Sequence, residues 1–156
     1  MLAWAPALLA ALLIAGCGES EPDRDSAGRI QGPGEVRLLK LHVGDCVSNL
    51  RTSLDDPDGG HNGVPKVKAV PCSQRHDGEV LKIAKIGDGD WPGFRVVDGE
   101  SARGRQELQP RLTAAGPGAG KLTLVSFRPT QERWEFEDQH EIFYLVLHRE
   151  PQTGAL

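Results

Sequence analysis

Cys72, His76 and Glu79 fall within eight positions of one another, inside the stretch Ala-Val-Pro-Cys-Ser-Gln-Arg-His-Asp-Gly-Glu-Val-Leu at 69–81. Three chemistries suit such a set. A thiolate, an imidazole and a carboxylate are zinc ligands when three or four converge, and His61 lies one loop away. A histidine near a cysteine can serve as the base that activates a nucleophile. Cys72 can also be half of a disulfide beside an ordinary turn. The first two need a free thiolate, so the compartment decides among them.

The N-terminus addresses the compartment. No charged side chain occurs from Leu2 to Gly16. A membrane-spanning helix needs about 20 apolar residues, and this run is shorter, matching the apolar core of a secretory signal. It ends in Ile14-Ala15-Gly16-Cys17, which resembles the lipobox of bacterial lipoprotein signal peptides. The resemblance implies cleavage between Gly16 and Cys17 and lipidation of the Cys17 sulfur. Two or more acyl chains, at about 0.8 kcal/mol per buried CH₂, would hold the protein on the outer, extracytoplasmic face of the cell membrane. Residues 1–16 then read as signal peptide and 17–35 as the lipidated cysteine with a flexible tether. Residues 18–35 carry one large apolar side chain, Ile30, among charges, glycines and prolines, a composition that does not offset its ordering entropy. Residues 151–156 read as a disordered tail.

With Cys17 lipidated, Cys46 and Cys72 remain, outside the cytoplasm, where thiols are oxidised. An even, compartment-matched pair is expected to form a structural disulfide, contributing roughly 3.5 kcal/mol by loop closure. That bridge leaves His76 nothing to activate and removes the strongest zinc ligand. No catalytic residue, metal site or cofactor is expected. No G-x-S-x-G, P-loop, H-E-x-x-H or dinucleotide fingerprint occurs, so the chain reads as a non-enzyme. His76 and Glu79 stay as a turn pair, structural or recognitional. The alternative is a metal- or small-ligand-binding lipoprotein using His76 and Glu79, with His61 as a further ligand. A hydrolase without a known motif is the third reading. Trp91, in the loop Gly-Asp-Gly-Asp-Trp-Pro-Gly, is a candidate binding residue. Trp134 is expected in the core, donating its N–H to a backbone carbonyl.

The elements that position these residues follow from periodicity. The 156 residues suit one domain, and a formal net charge of -4 argues against a nucleic-acid partner. Leu39, Leu41 and Val43 alternate with Lys40 and His42, a strand signal, and Gly44-Asp45 turns the chain. Residues 54–63 are turn-forming throughout. Val67 and Ala69 alternate with Lys66 and Lys68, and a further strand at 79–86 is expected to pair with them as a hairpin across Ser73–Gly78. A helix over 98–114, capped by Asp98 or Ser101, places Leu108 and Leu112 on one face. Gly104 and Pro110 make it short or kinked, and the glycines at 116–120 end it. Residues 121–127 and 141–148 read as central strands. Thr130 is an N-cap for a short helix carrying Trp134. The fold class is α+β: a small, mostly antiparallel sheet with one or two short helices packed on it and one disulfide, over 36–150.

The ordered set Gly44-Asp45-Cys46, Val70-Pro71-Cys72 with His76 and Glu79, Trp91-Pro92-Gly93, and Pro129-Thr130 followed by Trp134 resembles the septum formation domain of actinobacterial lipoproteins and membrane proteins. The likeness covers about residues 38–148. It implies a place, the cell envelope, and a process, septation, but no biochemical activity. That family has a second cysteine pair, in the central helix and the last strand, at places near Gly104 and Phe143 here. Both are missing together, which supports Cys46–Cys72 as the retained bridge. The family's Gly-Asp-Arg after the tryptophan is here Glu137-Asp138-Gln139. The reading is a non-catalytic module that binds an envelope or division protein through loops around His76 and Trp91.

Overall fold

A computed structural model of the chain describes residues 21–55, 63–115 and 122–156. The sheet strands are β1 (Gly34–Arg37), β2 (Cys46–Val47), β3 (Lys66–Val70), β4 (His76–Lys85), β5 (Leu122–Phe127) and β6 (Glu141–Gln152). The helices are α1 (Leu50–Asp55), α2 (Phe94–Ala114) and α3 (Gln131–Phe136), with a 3₁₀ turn at Leu38–Lys40. All six strands join one antiparallel sheet in the order β1-β3-β2-β4-β6-β5. The fold is the α+β class expected from periodicity.

β4 and β6 form the spine. Every residue of β6 from Ile142 to Leu147 is buried, because both faces of the sheet are covered. Val80, Phe143, Leu145 and Leu147 face a core shared with Leu38, Leu41, Leu50 and Val67. Leu81, Ile142, Tyr144 and Val146 face α2, which contributes Leu108 and Leu112. β5 lies at the sheet edge and is only half-buried, so the expectation of two central strands holds for β6 alone.

α2 is 21 residues long, not short. Its buried side is Val97, Ser101, Gly104 and Leu108, at helical spacing but half of it small. A Cβ at Gly104 would lie 2.2 Å from the Tyr144 hydroxyl oxygen, so glycine is what lets the helix seat on the sheet. The Tyr144 hydroxyl donates to the Glu100 carbonyl at 3.0 Å and pins the helix there. Neither Asp98 nor Ser101 caps α2. The N-cap is Gly93, at φ 88 and ψ 154, a conformation that favours glycine.

The hairpin expected between β3 and β4 does not form. β2, two residues long, slots between them, pairing Cys46 with Val70 on one side and with Glu79 on the other. The expected disulfide joins Cys46 and Cys72, with Cα atoms 5.2 Å apart. It ties the shortest strand to the chain just beyond β3. Around it, Asp77 accepts from the backbone N–H groups of Leu50 (2.8 Å) and Arg51 (3.1 Å). This caps α1 from a strand 26 residues away.

Two boundaries move outward. The tether reading fails for residues 21–35. Ile30 is buried in the core, Arg24 bridges to Ile30, and the Arg24 guanidinium grips the Asp45 carboxylate through both oxygens at 2.8 and 2.6 Å. The charges that suggest disorder are used internally: Asp25 accepts from the Ala27 and Arg29 N–H groups and closes the turn. The tail reading fails as well. β6 runs to Gln152, the Gly154 N–H donates to the Cys72 carbonyl, and the Leu156 N–H donates to Glu79 at 2.7 Å. The expected strand at Leu39–Val43 is also displaced. Leu38 and Leu41 are the inward residues, three apart on a 3₁₀ turn, and Val43 is 57% exposed.

Candidate functional site

The candidate residues separate into an interior cluster and a surface groove. Cys17 and His61, candidates for lipidation and metal binding, lie outside the described residues.

His76 and Glu79 are both inside, on β4, with His148 of β6 beside them. The His76 and His148 rings meet edge to face with centroids 5.9 Å apart. His76 Nδ1 is 2.9 Å from the Gln74 carbonyl, which can only accept, so Nδ1 carries the proton. Gln152 Nε2 donates to His148 Nε2 at 3.0 Å, which puts the His148 proton on Nδ1. His76 Nε2 and His148 Nδ1 are buried without a hydrogen-bond partner among the described residues. Glu79 accepts from Leu156 and lies 3.6 Å from the Arg111 guanidinium. The C-terminal residues therefore close over this cluster, and Glu79 is only 2% exposed. His76 and Glu79, expected at a turn as a structural or recognitional pair, are interior residues of β4 and offer no surface for recognition. Asp77, next to His76 in the chain, points to α1. Among the described residues no three or more His, Cys, Asp or Glu side chains are grouped to hold a metal ion.

Burial gives the cluster a pH signature. It pushes His148 below its ordinary 6.5, with the neighbouring His76 adding to the shift. It pushes Glu79 above its ordinary 4.5, against the opposing pull of the Leu156 N–H and Arg111. The signs are opposite. The unfolded chain protonates His148 at a higher pH than the folded protein does. Stability from this group is full above 6.5 and lost as pH falls through the depressed folded value. The folded protein holds the Glu79 proton longer, so that contribution is full below 4.5 and lost as pH rises through the raised folded value. Urea unfolding at a series of pH values from roughly 4 to 8 checks both signs. His148→Gln is expected to remove the acid-side loss and Glu79→Gln the loss on rising pH. An unchanged profile in His148→Gln would contradict the first assignment.

Trp91 sits elsewhere, half-buried in the loop between β4 and α2. Its ring meets Phe94 edge to face at 5.4 Å and Trp134 edge to face at 5.5 Å. Trp134 in turn stacks on His140 at 4.1 Å. Four rings thus form one row, from half-buried His140 and buried Trp134 to Phe94, which is 63% exposed. The anchor is local. Thr130 caps α3 by accepting from the Arg133 N–H, as expected, and sets the helix that carries Trp134. Trp134 donates its indole N–H to the Gly89 carbonyl at 2.7 Å, clamping the Trp91 loop to α3. The loop, α3 and the turn leading into β6 flank an open groove of about 740 Å³ lined by Trp91, Trp134, His140, Asp90, Glu135 and Asp138, with Gly89 and Gln131.

A second hollow, of about 760 Å³, lies over the disulfide, between residues 27–31, 42–46 and 70–74. Its lining has no large aromatic ring beyond His42. The groove at Trp91 has the better combination of flat apolar faces and fixed polar groups.

Reading the sequence missed His140, Asp138 and the roles of Asp90 and Glu135. Asp138 is the one non-glycine residue with positive φ among those described, at 54°, and it aims the chain from α3 into β6. No family model, no curated protein and no solved structure matches the chain. Among the described residues no helix is long and apolar enough to cross a membrane.

Proposed function

We propose that this protein is a lipid-anchored, extracytoplasmic module of the cell envelope that binds another envelope or division protein and catalyses nothing. The observation that carries the binding reading is the row of rings that runs from the core at Trp134 to open solvent at Phe94, beside a groove of about 740 Å³. Aromatic side chains fixed by packing lose little entropy on binding, which is why they dominate interface hot spots. Phe136, 80% exposed at the end of α3, adds apolar surface on the element that walls the groove. The location rests on the apolar run before Cys17 and its likeness to a lipobox, and the link to septation on the likeness to the septum formation domain. His76 and Glu79 lie in the interior, so the binding reading rests on the Trp91 surface.

Capture from cells expressing the full chain tests the binding reading. Affinity purification after crosslinking is expected to recover the same envelope protein repeatedly with the wild type. Recovery is expected to fall at least tenfold with Trp91→Ala, the scale of a hot-spot truncation of about 1.4 kcal/mol or more. Equal recovery by the two proteins would overturn the assignment of the surface. Anchoring is read separately: Cys17→Ser is expected to move the protein from the membrane to the soluble fraction.

A further inference from the structure

We infer that the Trp91 groove takes a cationic side chain, an arginine in an extended segment of the partner protein. This inference rests on the binding reading above and names the chemistry of the occupant. The groove offers half-buried Trp91, whose ring carries its negative charge on its faces, and an indole is the best aromatic receptor for a cation. Around it stand three exposed carboxylates, Asp90, Glu135 and Asp138. Among the described residues no lysine or arginine lines the groove, and its one basic side chain is His140. Glu135 is hydrogen-bonded to Gln131 at 2.8 Å, a neutral partner that leaves its charge uncompensated. Asp138, its side chain 96% exposed, has His140 Nε2 at 3.6 Å and feels the charge of Lys85, so Asp90 and Glu135 are the carboxylates left to an occupant.

Charge and shape select the occupant. An acidic partner is repelled, and a neutral glycan would cover the rings while leaving the Asp90 and Glu135 carboxylates without counter-charge. A guanidinium satisfies both features at once, stacking flat on an indole while its N–H groups reach carboxylate oxygens in pairs. The groove is an open trough, not an enclosed cavity, which suits a side chain presented on a polypeptide better than a free small ion.

The probe is a fluorescein-labelled peptide of alternating glycine and arginine, titrated into the detergent-solubilised full-length protein and read by anisotropy. A citrulline version of the same peptide keeps the planar group and removes the charge. A neutral N-acetylglucosamine oligomer competes for the glycan alternative. The arginine peptide is expected to bind at least tenfold more tightly than the citrulline peptide. The combined Asp90→Asn, Glu135→Gln and Asp138→Asn variant is expected to bind it at least tenfold more weakly, and Trp91→Ala at least fivefold more weakly. A control variant carrying Glu35→Gln and Glu150→Gln, two exposed acids outside the groove, is expected to bind as the wild type does. If Trp91→Ala fails to fold by circular dichroism, the carboxylate variant and the control decide alone. Equal binding of the citrulline peptide, equal weakening in the control variant, or binding of the glycan in place of the arginine peptide would each overturn the inference. Capture of a partner through the Trp91 surface with no preference for arginine would sink this inference and leave the binding reading standing.

Discussion

Replacing both Cys46 and Cys72 by alanine is expected to lower unfolding stability by about 3.5 kcal/mol. The bridge closes a loop of sequence separation 26 that contains α1, so its removal widens the unfolded ensemble substantially. The local context gives it further weight. β2 has only two residues to hold itself between β3 and β4, and Cys46 is wholly buried. The Cys72 carbonyl accepts from Gly154, so loosening Cys72 also loosens the segment that closes over Glu79. A domain of this size has only about 5–15 kcal/mol to lose, so the midpoint of thermal unfolding should fall by roughly 10 °C. Urea titrations of the oxidised, reduced and double-alanine proteins check this. Coincident curves for all three would show that the bridge adds no stability.

Gly104→Ala is the second large effect, a loss of about 2–3 kcal/mol from the smallest possible side-chain addition. On an exposed helix surface the same change would gain about 1 kcal/mol, because alanine is the better helix former. Here the added carbon would meet the Tyr144 hydroxyl oxygen at 2.2 Å and the ring carbon that bears it at 2.3 Å. Tyr144 is fully buried in the middle of β6 and cannot swing aside. The helix must lift, which strains the Tyr144 bond to Glu100 and the contact of Leu108 with the sheet. Tyr144→Phe alone should cost about 1 kcal/mol for the lost hydrogen bond. Combining Gly104→Ala with Tyr144→Leu should cost less than the sum of the two single changes, because the smaller side chain removes the clash. Strict additivity in that cycle would mean the two residues do not press on each other. The Gly104–Tyr144 contact is thus what joins α2 to β6, Tyr144 facing the helix while Phe143 faces the opposite side of the sheet.

What could be read from the sequence was whatever depends on neighbours in the chain. β3 follows from its alternation, β4 and β6 from their runs of apolar, strand-forming residues, the α3 cap from Thr130, and the core position of Trp134 from its proximity to that cap. The disulfide follows from parity and the expectation of export. What escaped was set by partners far along the chain. β2 is too short to show a period, so its insertion between β3 and β4 could not be seen. Residues 21–35 look like a tether until Arg24 meets Asp45, 21 positions on. The C-terminal residues look frayed until Leu156 meets Glu79 across 77 positions. The buried face of α2 was hidden because Ser101 and Gly104 carry no hydrophobic signal. The site divided the same way. Trp91 was visible as a loop tryptophan, but its separation from His76 and Glu79 follows from sheet order, and the row it shares with Phe94, Trp134 and His140 assembles only in three dimensions.

The central claim is that the Trp91 surface is where this protein meets its partner. The most direct measurement is photo-crosslinking in living cells, with a photoreactive amino acid at Asp90 in the groove and, separately, at Glu35 on the edge strand β1. The account predicts one reproducible adduct from Asp90, lost in Trp91→Ala and absent from Glu35. Identical adducts from both positions, or an Asp90 adduct untouched by Trp91→Ala, would contradict it.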